Sequence, residues 1–248
     1  MIFPRGDVWV GRSLALYGEY SEGETALFHQ ILRPGDTVVE AGANIGALTI
    51  PLGRLVGSTG RVLAFEAQRS IHSVLTANIL LNGLEHVWAE RVAVGDRAGS
   101  ITVPRLALSA VGNFGGVSVG SETGDECPMR TLDSYALDHL KLIKIDVEGA
   151  ESEVIDGAAE TIRRLRPILY AENDRREKSP GLISRIMDLG YRLWWHVVPL
   201  YSAANYRGDS NNVFGNVASF NMICIPRENG SSVGDSVEIL SPDATYPR

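Results

Sequence analysis

From Thr37 onward, short apolar runs rich in β-branched residues alternate with helix-length segments, and this alternation constrains the fold more than any other feature. "TVVEAG" precedes the helical pattern "NIGALTIPLGRLV"; "RVLAFEA" precedes "RSIHSVLTANILLNG", which Gly83 closes; "VWAERVAVGD" supplies a third strand. Strands joined by such crossover helices pair in parallel, with helices on both faces of the sheet. The pattern resumes with "KLIKIDVEG", "AESEVIDGAAETIRRLR", "PILYAEN", "SPGLISRIMDLG" and "YRLWWHVV", where Ser179 and Pro180 start a helix and Gly190 stops it. "ASFNMICIP" follows a long Asn-rich loop, so the final two strands are expected as an antiparallel pair at one side of the sheet.

No internal repeat or linker divides the chain, and residues 1–248 read as one domain. Residues 1–34 form an N-terminal helical segment, in which "SEGE" has the spacing of a capping box ahead of "TALFHQIL". Residues 97–130, rich in glycine and small polar residues, read as a loop or hairpin inserted near the ligand crevice, and 199–218 as a loop on the acceptor side. A composition of 44% hydrophobic and 21% charged residues is that of a soluble globular protein, and the net charge of −7 disfavours a nucleic-acid partner. Cys127 and Cys224 lack any metal-binding or disulfide spacing, no apolar run is long enough to span a bilayer, and a cytoplasmic location is expected. Oligomerisation is left open.

The first strand runs into "VVEAGANIG", which asks what needs a carboxylate, two glycines and an asparagine at a strand's mouth. A dinucleotide fingerprint requires a second glycine where Asn44 stands, so that a pyrophosphate can approach the backbone. Glu40 at this tip would repel a pyrophosphate and attract the ammonium group of S-adenosylmethionine. Glu66, at the tip of strand two and followed by Ala67, suits a ribose whose hydroxyls donate to it. Ala93, Val94 and Asp96, at the end of strand three, are placed to flank an adenine.

Together, "VVEAGANIGALTIPL", "VLAFEAQ", "ANILLNGL", "AVGD", "TLDSY" and "LIKIDVEGAESEVIDGA" resemble the FkbM family of S-adenosylmethionine-dependent methyltransferases, over about Gly18 to Asn173. The resemblance implies an α/β, Rossmann-like class I methyltransferase fold, with a seven-stranded, mostly parallel sheet whose last strand is antiparallel. It also implies S-adenosyl-L-methionine as cofactor and methylation of a hydroxyl on a sugar, glycolipid or polyketide-like product. Glu40, Gly42, Asn44, Gly46 and Glu66 fall on the family's cofactor motifs, with Glu40 standing where many members have Asp.

Displacement at a sulfonium methyl needs alignment of acceptor oxygen, carbon and sulfur, and removal of the acceptor's proton. His196 in "YRLWWHVVPL" is the candidate base among the histidines, with packing beside Trp194 and Trp195 as the plainer alternative. Asp146, Glu148, Glu172 and Asn173 cluster at strand ends on the carboxyl edge. Lys144 shares Asp146's face of an otherwise apolar strand, where a charge must be paired or ligated. Asp146 counts with the cofactor residues as well. Asp146, Glu172 and Asn173 are the expected ligands of a divalent cation such as Mg²⁺, all offering oxygen. Asn205, Asn211, Asn212 and Asn216, with Tyr201, Tyr206 and Phe214, suit a hydroxylated small-molecule acceptor. O-methyl transfer is the preferred reading over N-methyl transfer to a small molecule, a nicotinamide-dependent reductase, and a non-catalytic nucleoside-binding module.

Overall fold

The computed structural model describes every residue except 117–119, 235 and 247–248. Among the described residues, eight strands form the main sheet. In spatial order they are β3 (Val87–Glu90), β2 (Arg61–Phe65), β1 (Thr37–Ala41), β7 (Leu142–Ile145), β8 (Ile168–Glu172), β10 (Ala218–Pro226), β9 (Tyr191–Pro199) and β11 (Glu238–Ile239). The pairs from β3 through β8 are parallel, and β10 runs antiparallel to both β8 and β9. The sheet therefore holds the expected seven strands, plus the two-residue edge strand β11, which the sequence reading did not anticipate.

Alternation along the strands decides what each face buries. Val39, Ala41, Ile143 and Ile145 pack with Val154 and Ile155 of α5 (Glu151–Asp156), Ile162 of α6 (Ala159–Leu165) and Leu182, Ile183 and Ile186 of α7 (Ser179–Asp188). Val38, Val62, Ala64 and Leu142 pack on the other face with Phe28 of α2 (Glu22–Ile31), Leu52 and Val56 of α3 (Thr49–Val56) and Leu75 and Ile79 of α4 (Arg69–Leu81). Each buried Val, Leu, Ile or Phe side chain among these contributes about 1.5–3 kcal/mol of transfer free energy.

"VWAERVAVGD" is not one strand. The chain leaves the main sheet after Glu90, and β4 (Ala93–Val94) pairs in parallel with β6 (Asp125–Arg130), itself antiparallel to β5 (Gly99–Val103). The insertion is thus a hairpin completed by β4, with residues 117–119 outside the described ones. The helix expected over 150–166 is two helices separated at Gly157 and Ala158, and Gly157 packs so closely on Gly95 that a Cβ there would collide with the Gly95 carbonyl oxygen. The carboxylate of Asp133, from "TLDSY", accepts from the N–H groups of Glu160 and Thr161 and so caps the second piece. At the N-terminus an extra helix, α1 (Val10–Tyr17), precedes α2. The expected capping box is incomplete: the Ser21 hydroxyl donates to the Glu24 carboxylate rather than accepting from a helix N–H.

Candidate active site

The turn after β1 is built by residues that tolerate left-handed backbone, with φ of +84° at Gly42, +50° at Asn44 and +87° at Gly46. Gly42 also admits no side chain, since a Cβ would collide with the Asp146 carbonyl oxygen. The N–H groups of Gly42 and Ala43 both donate to the Phe65 carbonyl, tying the tips of β1 and β2 together. Glu66 then accepts from the Asn44 N–H at 2.9 Å and the Gln68 N–H at 2.7 Å, one on each carboxylate oxygen. Burial pushes its carboxyl up to about 7 against the pull of those two bonds. Gly42, Glu66, Ala67, Ala93, Val94 and Asp146 line one slot of 60 Å³, with Gly115 of the insertion across it. The slot shares Gly42, Glu66, Gly115, Asp146 and Glu148 with a neighbouring cleft of 240 Å³. Asp96 does not join them; its side chain is exposed and pairs with Arg97 at 3.0 Å.

Glu40 lies deeper than the sequence implied. It is 1% exposed and accepts from the Thr49 hydroxyl at 2.6 Å. Across the β1–β7 register stands Lys144, whose Nζ is 3.1 Å from Asp146 and 3.9 Å from Glu40. Burial works against the Lys144 charge, yet Asp146, Glu40 and Glu24 hold its ammonium above the ordinary lysine value. Lys144 therefore stays protonated and cannot take a proton; it neutralises acids. Burial also pushes Glu40 up to about 7 in spite of Lys144 and Thr49.

At the head of the cleft, Asp146, Glu148 and Glu172 each place a carboxylate oxygen within 4.8 Å of the others. Glu148 adopts a φ of +58° and accepts from Arg175 at 2.7 Å. Burial, with the Asp146 charge beside it, pushes Glu148 up to about 7. Burial, followed by the charges of Asp146, Asp174, Glu148 and Glu151, pushes Glu172 up to about 10, and its Oε2 is buried with no hydrogen-bond partner. Of the residues expected as cation ligands, Asp146 and Glu172 lie in this group with Glu148, while the Asn173 amide donates to the Met222 sulfur at 3.1 Å.

His196 is not brought to the acids either. Its Nδ1 lies 2.7 Å from the Tyr170 hydroxyl, burial lowers its pKa, and the strand registers place it two strands from Glu172, about 10 Å away at ordinary spacing. Of the asparagines of the 199–218 loop, Asn205 is buried and Asn211, Asn212 and Asn216 are exposed, and none of the four lines the cleft. Asn205 bonds Ser202 and Asp209, Asn212 bonds Phe214 and Gly215, and Phe214 packs on Trp9 and Tyr17. What lines the cleft from that region is Leu200 and Val217 to Asn221, joined by Trp9, Val10, Tyr20 and Glu24 from the N-terminal segment. Nothing in the local sequence pattern marked Trp9 or Tyr20.

The strand tips thus line a crevice at the carboxyl edge of the sheet, with Glu66 on one side and the group of acids on the other, where open α/β folds place their ligands. Residues 40–193 match the family described as Methyltransferase FkbM domain, and the chain belongs to that family of S-adenosylmethionine-dependent methyltransferases. Among solved structures, it is similar to precorrin 8W decarboxylase of Methanobacterium thermoautotrophicum at 14% identity and a TM-score of 0.52, over 91% of this chain and 99% of that one. Precorrin-6y C5,15-methyltransferase of Geobacter metallireducens GS-15 aligns at 12% identity and 0.51, over 81% and 87%. Methyltransferase FkbM of Methylobacillus flagellatus KT aligns at 16% and 0.50, over 81% and 50%. These identities show the fold. The chain also matches the tRNA (adenine(57)-N(1)/adenine(58)-N(1))-methyltransferase of Methanocaldococcus jannaschii, 42% identical over 52 residues, which is 21% of this chain and 18% of that protein. Among the described residues, no helix is long and apolar enough to cross a membrane.

Proposed function

We propose that the chain transfers the methyl group of S-adenosylmethionine to a hydroxyl of a small acceptor, with a glycan, glycolipid or related natural product as the preferred class. The observation that carries this reading is the group of acids beside the nucleoside tips, Asp146, Glu148 and Glu172, within 4.8 Å of one another. An alcohol must lose a proton as it attacks, and a carboxylate held near neutral pH is suited to accept it. Glu148 is such a group, while Glu172, held far higher, carries a proton and donates a hydrogen bond to the acceptor. Asp146, bordering both the slot and the cleft, aligns the two substrates. A polynucleotide acceptor is disfavoured, because its phosphates would meet these acids and a net charge of −7.

The same three carboxylates fit a hard divalent cation such as Mg²⁺, whose ligands are oxygens and whose charge would relieve their mutual repulsion. Bound there, it would acidify an acceptor hydroxyl. Arg175, at 2.7 Å from Glu148, already supplies part of that compensation.

The test is incubation with methyl-labelled S-adenosylmethionine and fractionated extracts, with and without EDTA, followed by mass spectrometry of labelled products. Label on oxygen is expected. Label found only on amine nitrogen would reassign the acceptor, and full activity after EDTA would leave the acids to act without a metal.

A further inference from the structure

His196 stands apart from the three clustered acids, yet a polar path joins it to the same cleft. Glu24 of α2 lines that cleft with Asp146 and Glu172, is 4% exposed, and accepts from the Ser21 hydroxyl at 2.7 Å. The Tyr170 hydroxyl of β8 lies within hydrogen-bonding reach of the same carboxyl. Phe28, one helical turn beyond Glu24, packs edge-on against the Tyr170 ring with centroids 5.1 Å apart, and so fixes where that hydroxyl sits. On its far side the hydroxyl is 2.7 Å from Nδ1 of His196. His196 is partly exposed, and among the described residues no hydrogen bond is made to its Nε2, which leaves that nitrogen to water.

The surroundings set the protonation state of each group. Burial pushes the Glu24 carboxyl above its ordinary value, lowers the His196 imidazole and keeps the Tyr170 hydroxyl un-ionised. A neutral imidazole with its proton on Nε2 presents Nδ1 as an acceptor. Tyr170 then donates to His196, and its oxygen is free to accept from Glu24. The path is therefore polarised from the cleft toward the exposed histidine.

We propose that Glu24 is a second proton acceptor of the cleft and that it discharges through Tyr170 to His196, which passes the proton to water. The inference rests on the methyl-transfer reading above and gives the proton of that reaction an exit. As the acceptor oxygen bonds to the methyl carbon, the carbon–sulfur bond breaks and its electron pair goes to sulfur. The hydroxyl proton moves to one Glu24 oxygen and the proton on the other passes to Tyr170. The Tyr170 proton passes to Nδ1, and the imidazolium sheds its Nε2 proton. Tyr170 stays neutral throughout, because it receives one proton as it gives another. Exchange with water and rotation of the carboxyl and hydroxyl protons restore the starting state.

The test compares the parent chain with Tyr170→Phe, which deletes only the bridging oxygen, and with His196→Ala, in methyl transfer from labelled S-adenosylmethionine to the acceptors of fractionated extracts. Both rates should fall about 10-fold, short of a full loss because Glu148 remains to take the proton. S-adenosylhomocysteine affinity should stay within about twofold in calorimetry. Added imidazole should restore most of the His196→Ala rate and none of the Tyr170→Phe rate, a pattern that lost packing does not produce. Nitrogen NMR of the parent chain should place the His196 proton on Nε2. Parental rates in Tyr170→Phe would overturn the relay, as would a His196→Ala deficit that imidazole leaves unchanged, which would mark a packing role. A His196 proton resident on Nδ1 would overturn it whatever the activity. Absence of methyl transfer by the parent chain to any acceptor would overturn the methyl-transfer reading instead, and the NMR measurement would still decide the path.

Discussion

The two sides of the crevice are built on opposite terms. On the side we assign to the nucleoside, Glu66 already spends both carboxylate oxygens on backbone N–H groups, and the turn around Gly42 is locked to the Phe65 carbonyl. On the side we assign to the acceptor, Glu172 keeps a buried oxygen with no hydrogen-bond partner, and Asp146, Glu148 and Asp174 add like charge around it. Both sides hold a carboxyl that burial raises to about 7, Glu66 and Glu148, but Glu66 is held by two backbone bonds, whereas the unpartnered Glu172 is pushed up to about 10 and adds a cost that a proton, a cation or a substrate must relieve. Lys144 joins them, because it touches Asp146 of the cleft and lies between it and the buried Glu40.

The comparison breaks most visibly if that link is removed. Lys144→Met leaves Glu40, Asp146 and Glu24 without their cation in a site where Lys144 is 3% exposed. Breaking a buried ion pair from one side costs about 3–5 kcal/mol, and urea denaturation should show a loss of that order. Stability equal to the parent would mean that the acids are carried neutral and the two sides are independent.

The next effect is on binding. Glu66→Ala removes the ribose acceptor and frees the N–H groups of Asn44 and Gln68, so S-adenosylhomocysteine affinity should fall by about 1–3 kcal/mol in calorimetry. Glu172→Gln should leave that affinity alone. If the two variants weaken cofactor binding equally, the division into sides is wrong.

Smaller, and opposite in sign, is the effect of relieving the acceptor side. Glu40, Glu66 and Glu148 are pushed up to about 7 from an ordinary value of 4.5, so between those pH values the folded chain binds more protons than the unfolded one. Stability then falls as pH rises through that window. In EDTA-containing buffer the free protein should melt higher at pH 5.5 than at pH 8. Glu172→Gln should raise the pH 8 melting temperature by about 2–4 °C, the shift that about 1 kcal/mol gives in a chain of this length, while lowering methyl transfer. A variant that melts lower than the parent at both pH values would show that Glu172 is stabilising and the strain is absent.

How much of this was legible in the sequence follows from how local each feature is. The sheet order and the nucleoside side depend on spacing within single strand–turn–helix units, where glycines at positive φ and tip acids leave a readable pattern. Which way each strand-end residue turns is not legible from residue type alone, because neighbours on a strand point to opposite faces: Glu172 joins the acids, and the Asn173 amide meets Met222. The same parity sends His196 to Tyr170, away from Trp195. Trp9 and Tyr20 come from a segment remote in sequence that meets the strand ends only in the fold, and no periodicity announces them. The amides of Asn205 and Asn212 were legible as polar groups but not as partners of the loop's own backbone, which competes for the amides a loop carries.

The smallest expected effect sharpens the boundary of the nucleoside side. Ala93 and Val94 line the slot, whereas Asp96, two residues on, points to solvent and pairs with the adjacent Arg97, both side chains being more than a third exposed. An exposed pair of this kind contributes about 0–1 kcal/mol, and side-chain entropy and salt screening take most of it. Asp96→Ala should therefore change neither S-adenosylhomocysteine affinity nor stability by more than about 0.5 kcal/mol. The measurement is informative because the fold offers two routes to an adenine contact here. In one, the apolar Ala93 and Val94 pack on the ring and no side chain beyond them is needed. In the other, the segment after β4 closes over the ring and Asp96 accepts from its amino group. A tenfold weaker affinity in Asp96→Ala, with stability unchanged, would select the second route and show that the nucleoside side also rearranges on binding, removing the contrast with the acceptor side.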